Sequence, residues 1–372
     1  MRVLICGGGV IGASIAYFLS CRGVDATVIE RTELGCAASG RAGGFLALDW
    51  CDGTPLQPLA RRSFVLHAQL AEEIGTDWGY RRLTTYGGFV GSRRHSHAYN
   101  IDWLATKVSV HQRLGSTETT AQVHPKKFTA AMMKAAERRG ATLRLGRVTG
   151  IARDRSGAVR GAAVDGETVD GDAVVIAMGP WSLLAAQWLP VPAVYGLKGH
   201  SIVLEIGPRI PAEAVFLELR ETSGALQAPE LFPRSDGTTY VCAISSESSL
   251  PVDPAEVAPD AGAVERLQTM CSELSPVFAS AKVLARQACF RPITGDWLPL
   301  IGCVPGAKGA YIATGHSVWG ILNAPATGEA MAELIVDGAA HTVDLSSFDP
   351  ARLPPLDPAR LHGMVEADQR QR

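Results

Sequence analysis

The sequence has no excess of charge of either sign. Its 35 lysines and arginines stand against 37 aspartates and glutamates, a net charge of −2. Nucleic acid and anionic membrane surfaces therefore have no broad electrostatic reason to bind it. No stretch approaches the roughly 18 uninterrupted apolar residues that a membrane-spanning helix needs. The eight cysteines form no CxxC pair. In a chain this long they read as reduced, mostly buried thiols of a cytoplasmic protein. The nine histidines show no metal-ligand spacing, so no metal is expected, and no Ser/His/Asp constellation stands out. What remains is an ordinary globular composition, 47% hydrophobic, long enough for two connected domains.

The opening residues are the most informative. Val3–Cys6 is a short apolar run with the pattern of a strand buried on both faces, and reads better so than as the start of a signal peptide. Gly7-Gly8-Gly9-Val10-Ile11-Gly12 follows, then helical spacing over 13–22, a second strand at Ala26–Ile29, and Glu30 at its end. Gly7 permits a tight turn, Gly9 lets the backbone approach a pyrophosphate, and Gly12 lets helix and strand pack closely. The helix N-terminus presents free N–H groups to phosphate. Glu30 sits where an acid accepts ribose hydroxyls and argues against a 2′-phosphate. The expected ligand is a dinucleotide held by Gly7, Gly9, Val10, Ile11, Gly12, Glu30 and Arg31.

Beyond Glu30 there is no amphipathic crossover helix. A glycine- and alanine-rich segment with one cation takes its place: Ser39, Gly40, Arg41, Ala42, Gly43, Gly44. Small residues let backbone run along a large extended ligand. This segment resembles the flavin-contacting loop of the D-amino-acid oxidase superfamily, the group containing glycine oxidase and monomeric sarcosine oxidase. The resemblance implies FAD as cofactor, with contacts from Ser39, Arg41, Ala42, Gly43 and Gly44.

Later segments carry the same resemblance. Arg147–Ile151 would bring the backbone of Val148 to the adenine. The run Asp172–Trp181 resembles a strand ending in an A-x-G turn near the flavin, with Ala177, Gly179 and Trp181. Cys289-Phe290-Arg291-Pro292 leading to Asp296 and Pro299-Leu300-Ile301-Gly302 resembles the superfamily's R-P…D…P-x-I-G stretch. Its arginine clamps a substrate carboxylate in the amino-acid oxidases, and Arg291 matches it; the alternative is a structural arginine pairing with Asp296 or a carbonyl. Cys289 stands near the cysteine that bonds flavin covalently in the sarcosine-oxidase branch, or is a thiol packed beside the ring. Tyr311–Gly328 resembles glycine oxidase, and implies contacts from Gly315, His316, Trp319, Gly320, Ile321 and Leu322 where a helix N-terminus faces the flavin. His316 is read either as a cation at that edge or as a hydrogen-bonded structural histidine.

Two further residues complete the candidate set. Lys198, in a strand start resembling the family's (R/K)-G-(Q/E/H), is a lysine above the flavin or an ordinary ion-pair lysine. Glu230 stands in Pro229–Arg234, where glycine oxidase carries an aromatic residue. An acid facing the pocket would repel a second carboxylate and attract an amine, which puts glycine in doubt as substrate. Aromatic and histidine residues between Trp78 and His111 are expected to shape the pocket.

The expected architecture is α/β: a Rossmann-like FAD-binding domain from residues 1–52, 123–192 and 287–345. A second, antiparallel-sheet substrate domain comes from 53–122 and 193–286, with a C-terminal tail at 346–372. Homo-oligomerisation is left open. The expected activity is oxidation of the C–N bond of an amino acid or amine, with oxygen as acceptor. The rivals are a flavin dehydrogenase passing electrons to a quinone or carrier, a nicotinamide dehydrogenase, and a non-catalytic FAD-binding interaction protein.

Overall fold

The computed structural model describes residues 1–91, 99–221 and 223–361. Its first layer is a six-stranded sheet in the spatial order Leu300–Cys303, Ala310–Thr314, Ala173–Ile176, Arg2–Cys6, Asp25–Glu30, Thr142–Leu145. Every pairing is parallel except that between Leu300–Cys303 and Ala310–Thr314. The strand Arg2–Cys6 lies centrally because Val3, Leu4, Ile5 and Cys6 are all fully buried, which only a sheet covered on both faces allows. Val3 and Ile5 pack with Ala13, Ile15 and Ala16 of the helix Val10–Cys21. Leu4 and Cys6 pack on the other side with Ala162 and Val164 of a small antiparallel sheet, residues 148–170.

The second layer is a larger sheet ordered Lys282–Ile293, Tyr195–Glu205, Thr238–Ser246, Glu230–Pro233, Glu213–Arg220, Thr84–Val90, Val108–Gly115, with Leu226–Gln227 beside Glu213–Arg220. It is antiparallel as expected apart from one pair: Glu213–Arg220 runs parallel to Thr84–Val90. Alternation decides its two faces. Leu231, Val241, Ile202 and Val215 point to a core shared with Leu267, Met270 and Leu274 of the helix Ala263–Leu274. Their neighbours point the other way, towards the first layer.

The helix Gln57–Ile74, assigned by sequence to the second domain, buries Leu59, Ala60, Phe64 and Leu70 in the same core as Val3 and Ile5. It packs there because it staples the helix Gly320–Asp337 at its internal proline. Pro325 has no N–H to give the Ile321 carbonyl four residues back. His67 Nε2 lies 3.0 Å from that carbonyl and 3.2 Å from the carbonyl of Leu322. Ser63 Oγ accepts the Ala326 N–H at 3.1 Å. The tail packs onto the body up to residue 361, with Phe348 and Leu361 buried in the two cores. Residues 362–372 lie outside the described residues.

Candidate active site

Between the two sheets runs a cavity of about 370 Å³. One end is lined by Gly7, Gly9, Val10, Ile11, Glu30, Arg31 and Val148; its walls include Ser39, Ala42, Gly43, Gly44, Ala177, Gly179 and Trp181. The other end holds Glu230, Cys289, Arg291, His316, Trp319, Gly320 and Ile321.

The nucleotide end follows from the glycines. A Cβ on Gly7, whose φ is +115°, would stand 2.4 Å from the Ala177 carbonyl oxygen. One on Gly12 would meet the Gly7 carbonyl at 2.0 Å, so Gly12 sets helix–strand packing and does not itself line the cavity. The helix beginning at Val10 has no side-chain cap of its own, and the Val10 N–H donates to Ser39 Oγ at 2.9 Å. Glu30 accepts the Gly8 N–H at 2.7 Å through Oε2 and the Thr32 N–H at 2.9 Å through Oε1. The carboxylate thereby fixes the turn as well as offering an acceptor at the strand end.

These residues fit FAD. The cavity is long, its floor is bare backbone at Gly7 and Gly9, and a side chain at Gly43 would come within 2.4 Å of the Phe232 ring. A second helix N-terminus, at Gly320 and Ile321, opens onto the far end. It offers the positive end of a helix dipole to an electron-rich ring edge.

Several expected contacts are held by protein partners. Arg41 lies off the cavity: its Nη1 donates to the carbonyls of Val257 at 3.0 Å and Ala288 at 2.8 Å. Arg31 lines the cavity and donates to the Val252 carbonyl at 3.2 Å. Trp181 Nε1 donates to the Pro251 carbonyl at 2.8 Å. Lys198 is also off the cavity, its ammonium 2.5 Å from Asp260 and above the face of Phe290. Together these four hold one segment, residues 247–262, whose Val252 and Pro254 line the cavity. Asp260 is further bound by Ser246 Oγ at 2.6 Å and sits 3.3 Å from His200 Nε2. The donors of Lys198 and Ser246 hold its carboxyl down to about 2. The run Ser245–Pro254, rich in serine, acid and proline, was the available signal for such a strap.

At the far end Arg291 faces the cavity. Its Nη1 donates to Ser245 Oγ at 3.3 Å. Glu230 also faces it, with the Cys242 thiol 3.4 Å from Oε2. Burial pushes the Glu230 carboxyl up, against the opposing pull of Arg291. Cys289 lines the cavity as well, and burial raises its thiol, which keeps it protonated. His316 is buried, its Nε2 3.1 Å from Thr327 Oγ1; burial pushes its pKa down to about 3. The imidazole is thus neutral near pH 7 and brings no positive charge. Gly315 and Leu322 lie behind the lining: a Cβ on Gly315 would meet Thr294 at 2.8 Å, and Leu322 is buried.

The expectation for residues between Trp78 and His111 fails among the described residues. Trp78 and Trp103 are buried in other cores, and Tyr80 and Tyr86 are off the cavity. His95 and His97 lie outside the described residues. The aromatic wall comes instead from Phe45, Trp50, Phe216, Phe232 and Tyr240. Only strand register, which sequence alone does not give, brings those rings together.

Comparison with known proteins agrees with this geometry. Residues 2–334 match the family model described as FAD dependent oxidoreductase. A glycine oxidase of Geobacillus kaustophilus is 30% identical over 379 residues, covering 94% of this chain and 96% of that one. A Schizosaccharomyces pombe protein named as an oxidoreductase is 29% identical, covering 94% and 97%. The crystal structure of glycine oxidase from Geobacillus kaustophilus superposes with a TM-score of 0.79 at 27% identity, covering 94% of this chain and 99% of that chain.

Proposed function

Because the chain belongs to the FAD dependent oxidoreductase family, we propose that it oxidises the carbon–nitrogen bond of an amino acid or closely related amine to the imine, with oxygen as electron acceptor. The observation that carries this reading is the Arg291 guanidinium, which faces the cavity at the end opposite the dinucleotide turn. A planar fork of donors matches a carboxylate in a way that an ammonium does not. A similar enzyme, from Geobacillus kaustophilus, is named a glycine oxidase.

Bound FAD supplies the two-electron acceptor for hydride leaving the carbon beside nitrogen. Gly7, Gly9, Val10 and Glu30 would hold its pyrophosphate and ribose, and Val148 its adenine end. Gly43, Gly44, Trp319, Gly320 and Ile321 would hold the ring. The helix N-terminus at Gly320 and Ile321 would favour negative charge at a ring edge placed against it. Arg291 fixes the substrate carboxylate and with it the orientation of the α-carbon. The rings of Phe45, Phe216 and Phe232 keep water from that carbon. Neutral His316 adds no charge and instead ties the turn before the helix to Thr327 within it.

The test is anaerobic addition of an amino-acid and amine panel to purified protein, followed at ~450 nm. Bleaching by one compound, with oxygen uptake on re-aeration, is the expected outcome. Bleaching followed by dye reduction without oxygen uptake would move the acceptor to a quinone or carrier. A yellow protein that no amine bleaches would overturn the reading.

A further inference from the structure

The cavity face of the larger sheet places opposite charges beside a continuous aromatic surface. On the strand Glu230–Pro233, Glu230 and Phe232 line the cavity while Leu231 between them is fully buried behind the sheet. On Thr238–Ser246, Tyr240 and Cys242 line it while Val241 points back. Register sets Phe216, Glu230 and Cys242 side by side across three strands. Arg291 reaches the same place from two strands away, lying across Gly199 to bond Ser245.

Glu230 and Arg291 are bonded to neutral partners, the Cys242 thiol and the Ser245 hydroxyl, and not to each other. They nevertheless feel one another's charge. The charged or titratable groups that face Glu230 are Arg291, Cys242 and Tyr240, and no lysine is among them. A carboxylate and a guanidinium held near each other without pairing form a receptor for a molecule carrying both charges in reverse.

The aromatic surface adjoins that receptor. Phe45 stands 5.0 Å from Phe216 and 5.5 Å from Phe232, centroid to centroid. Trp50 lies 4.9 Å from Phe216 and 6.4 Å from Trp319. Glycine would leave these rings facing water, whereas a large apolar side chain would cover them.

Resting on the amine-oxidising reading above, we propose that the substrate is a zwitterionic amino acid with a bulky apolar side chain, whose ammonium is bound and deprotonated by Glu230. The ammonium N–H bond breaks and an O–H bond forms on the Glu230 carboxylate. The nitrogen recovers the lone pair needed to form C=N as hydride leaves the α-carbon. The proton passes to solvent when the imine departs. Burial raises the proton affinity of that carboxylate while Arg291 opposes the rise, which suits it to take the proton up and release it again. A second carboxylate on the substrate would meet Glu230 and be rejected.

The experiment uses the FAD-bound enzyme and its Glu230→Gln and Phe216→Ala variants, each reduced beforehand with dithionite and kept anaerobic for the binding runs, with phenylalanine (each enantiomer), 3-phenylpropanoate and glycine as probes. Calorimetry on the wild type should show at least about tenfold tighter binding of one phenylalanine enantiomer than of 3-phenylpropanoate, and of phenylalanine than of glycine. Glu230→Gln should lose the first preference while binding 3-phenylpropanoate at least as well, which also shows that fold and Arg291 are intact. Phe216→Ala should lose part of the second. The acid limb of kcat/KM for Glu230→Gln should move up towards the amine's own pKa. A preference unchanged in Glu230→Gln, or glycine binding as tightly as phenylalanine, would overturn the proposal. Because binding is read without turnover, these outcomes stay distinct from a failure of the amine panel to bleach the flavin, which strikes the parent reading.

Discussion

The Arg291 side chain lies flat over Gly199: a Cβ on that glycine would come within 3.2 Å of Nη2 and 3.4 Å of Cζ. Gly199 is paired with Cys289 in the neighbouring strand, so the guanidinium crosses one strand to reach Ser245 on the next. The glycine is there for space and not for backbone freedom, because it is absent from the positive-φ positions. Gly199→Ala should therefore fold normally, keep its FAD, and tilt the guanidinium by a few tenths of an ångström. We expect KM for the amino acid to rise about three- to tenfold, with a smaller change in kcat. Arg291→Lys, which loses the fork, should cost at least about 100-fold in kcat/KM. Steady-state kinetics on both variants checks this; an unchanged KM in Gly199→Ala would show that the crossing does not position the clamp.

Glu30 holds the Gly8 and Thr32 N–H groups besides standing at the nucleotide end. Glu30→Ala removes both charge-assisted bonds, each worth about 1.5–3 kcal/mol in general. The expected result is a protein that purifies largely colourless, with FAD affinity lower by at least about tenfold. The ratio of absorbance at 450 nm to that at 280 nm, and titration with added FAD, measure it.

His67 couples acid stability to the start of the Gly320–Asp337 helix. Burial pushes its pKa down to about 4, from an ordinary 6.5. The folded state thus binds fewer protons than the unfolded chain between those values. Stability from this group is complete above pH 6.5 and is lost as pH falls towards about 4, by up to about 3 kcal/mol. His67→Phe leaves the Ile321 carbonyl without a donor, so it should be less stable at pH 7.5 by about 1–3 kcal/mol. Its stability should fall less steeply between pH 6.5 and 4, so the two curves converge. Denaturant melts across that range are the measurement. A wild-type curve with no slope there would refute the assignment.

The strap at residues 247–262 closes over the cofactor cavity through Arg31, Arg41, Trp181 and Lys198. Asp260 is its most heavily bonded anchor, taking Lys198 and the hydroxyls of Ser246 and Ser248. Asp260→Asn should loosen one end and speed FAD release about three- to tenfold without moving the substrate KM. Stopped-flow transfer of flavin to an apo-flavoprotein trap reads the rate directly. An unaltered release rate would mean that the strap does not gate the cofactor.

Sequence alone determined the nucleotide end of this protein. There a tight turn, a close approach and a capped strand are dictated by residues adjacent in the chain: Gly7, Gly9, Gly12 and Glu30. The same locality made both layers legible, since strand and helix periods are read within a few residues. The tertiary structure decided the rest. Arg41 looks like a cofactor cation in sequence and Lys198 is open between a pocket lysine and an ion-pair lysine; both hold the strap, because their partners Val257 and Asp260 lie tens to hundreds of residues away. His316 was open between cation and neutral until its burial was known, because charge on an imidazole depends on solvation and not on the letter. The aromatic wall and the Glu230–Arg291 pair arise from register across strands drawn from Glu213 to Ile293, together with Phe45 of a separate small sheet and Trp50 just after it. A one-residue slip in that register would turn each of those side chains to the opposite face, so only the paired sheet fixes which of them meet the substrate.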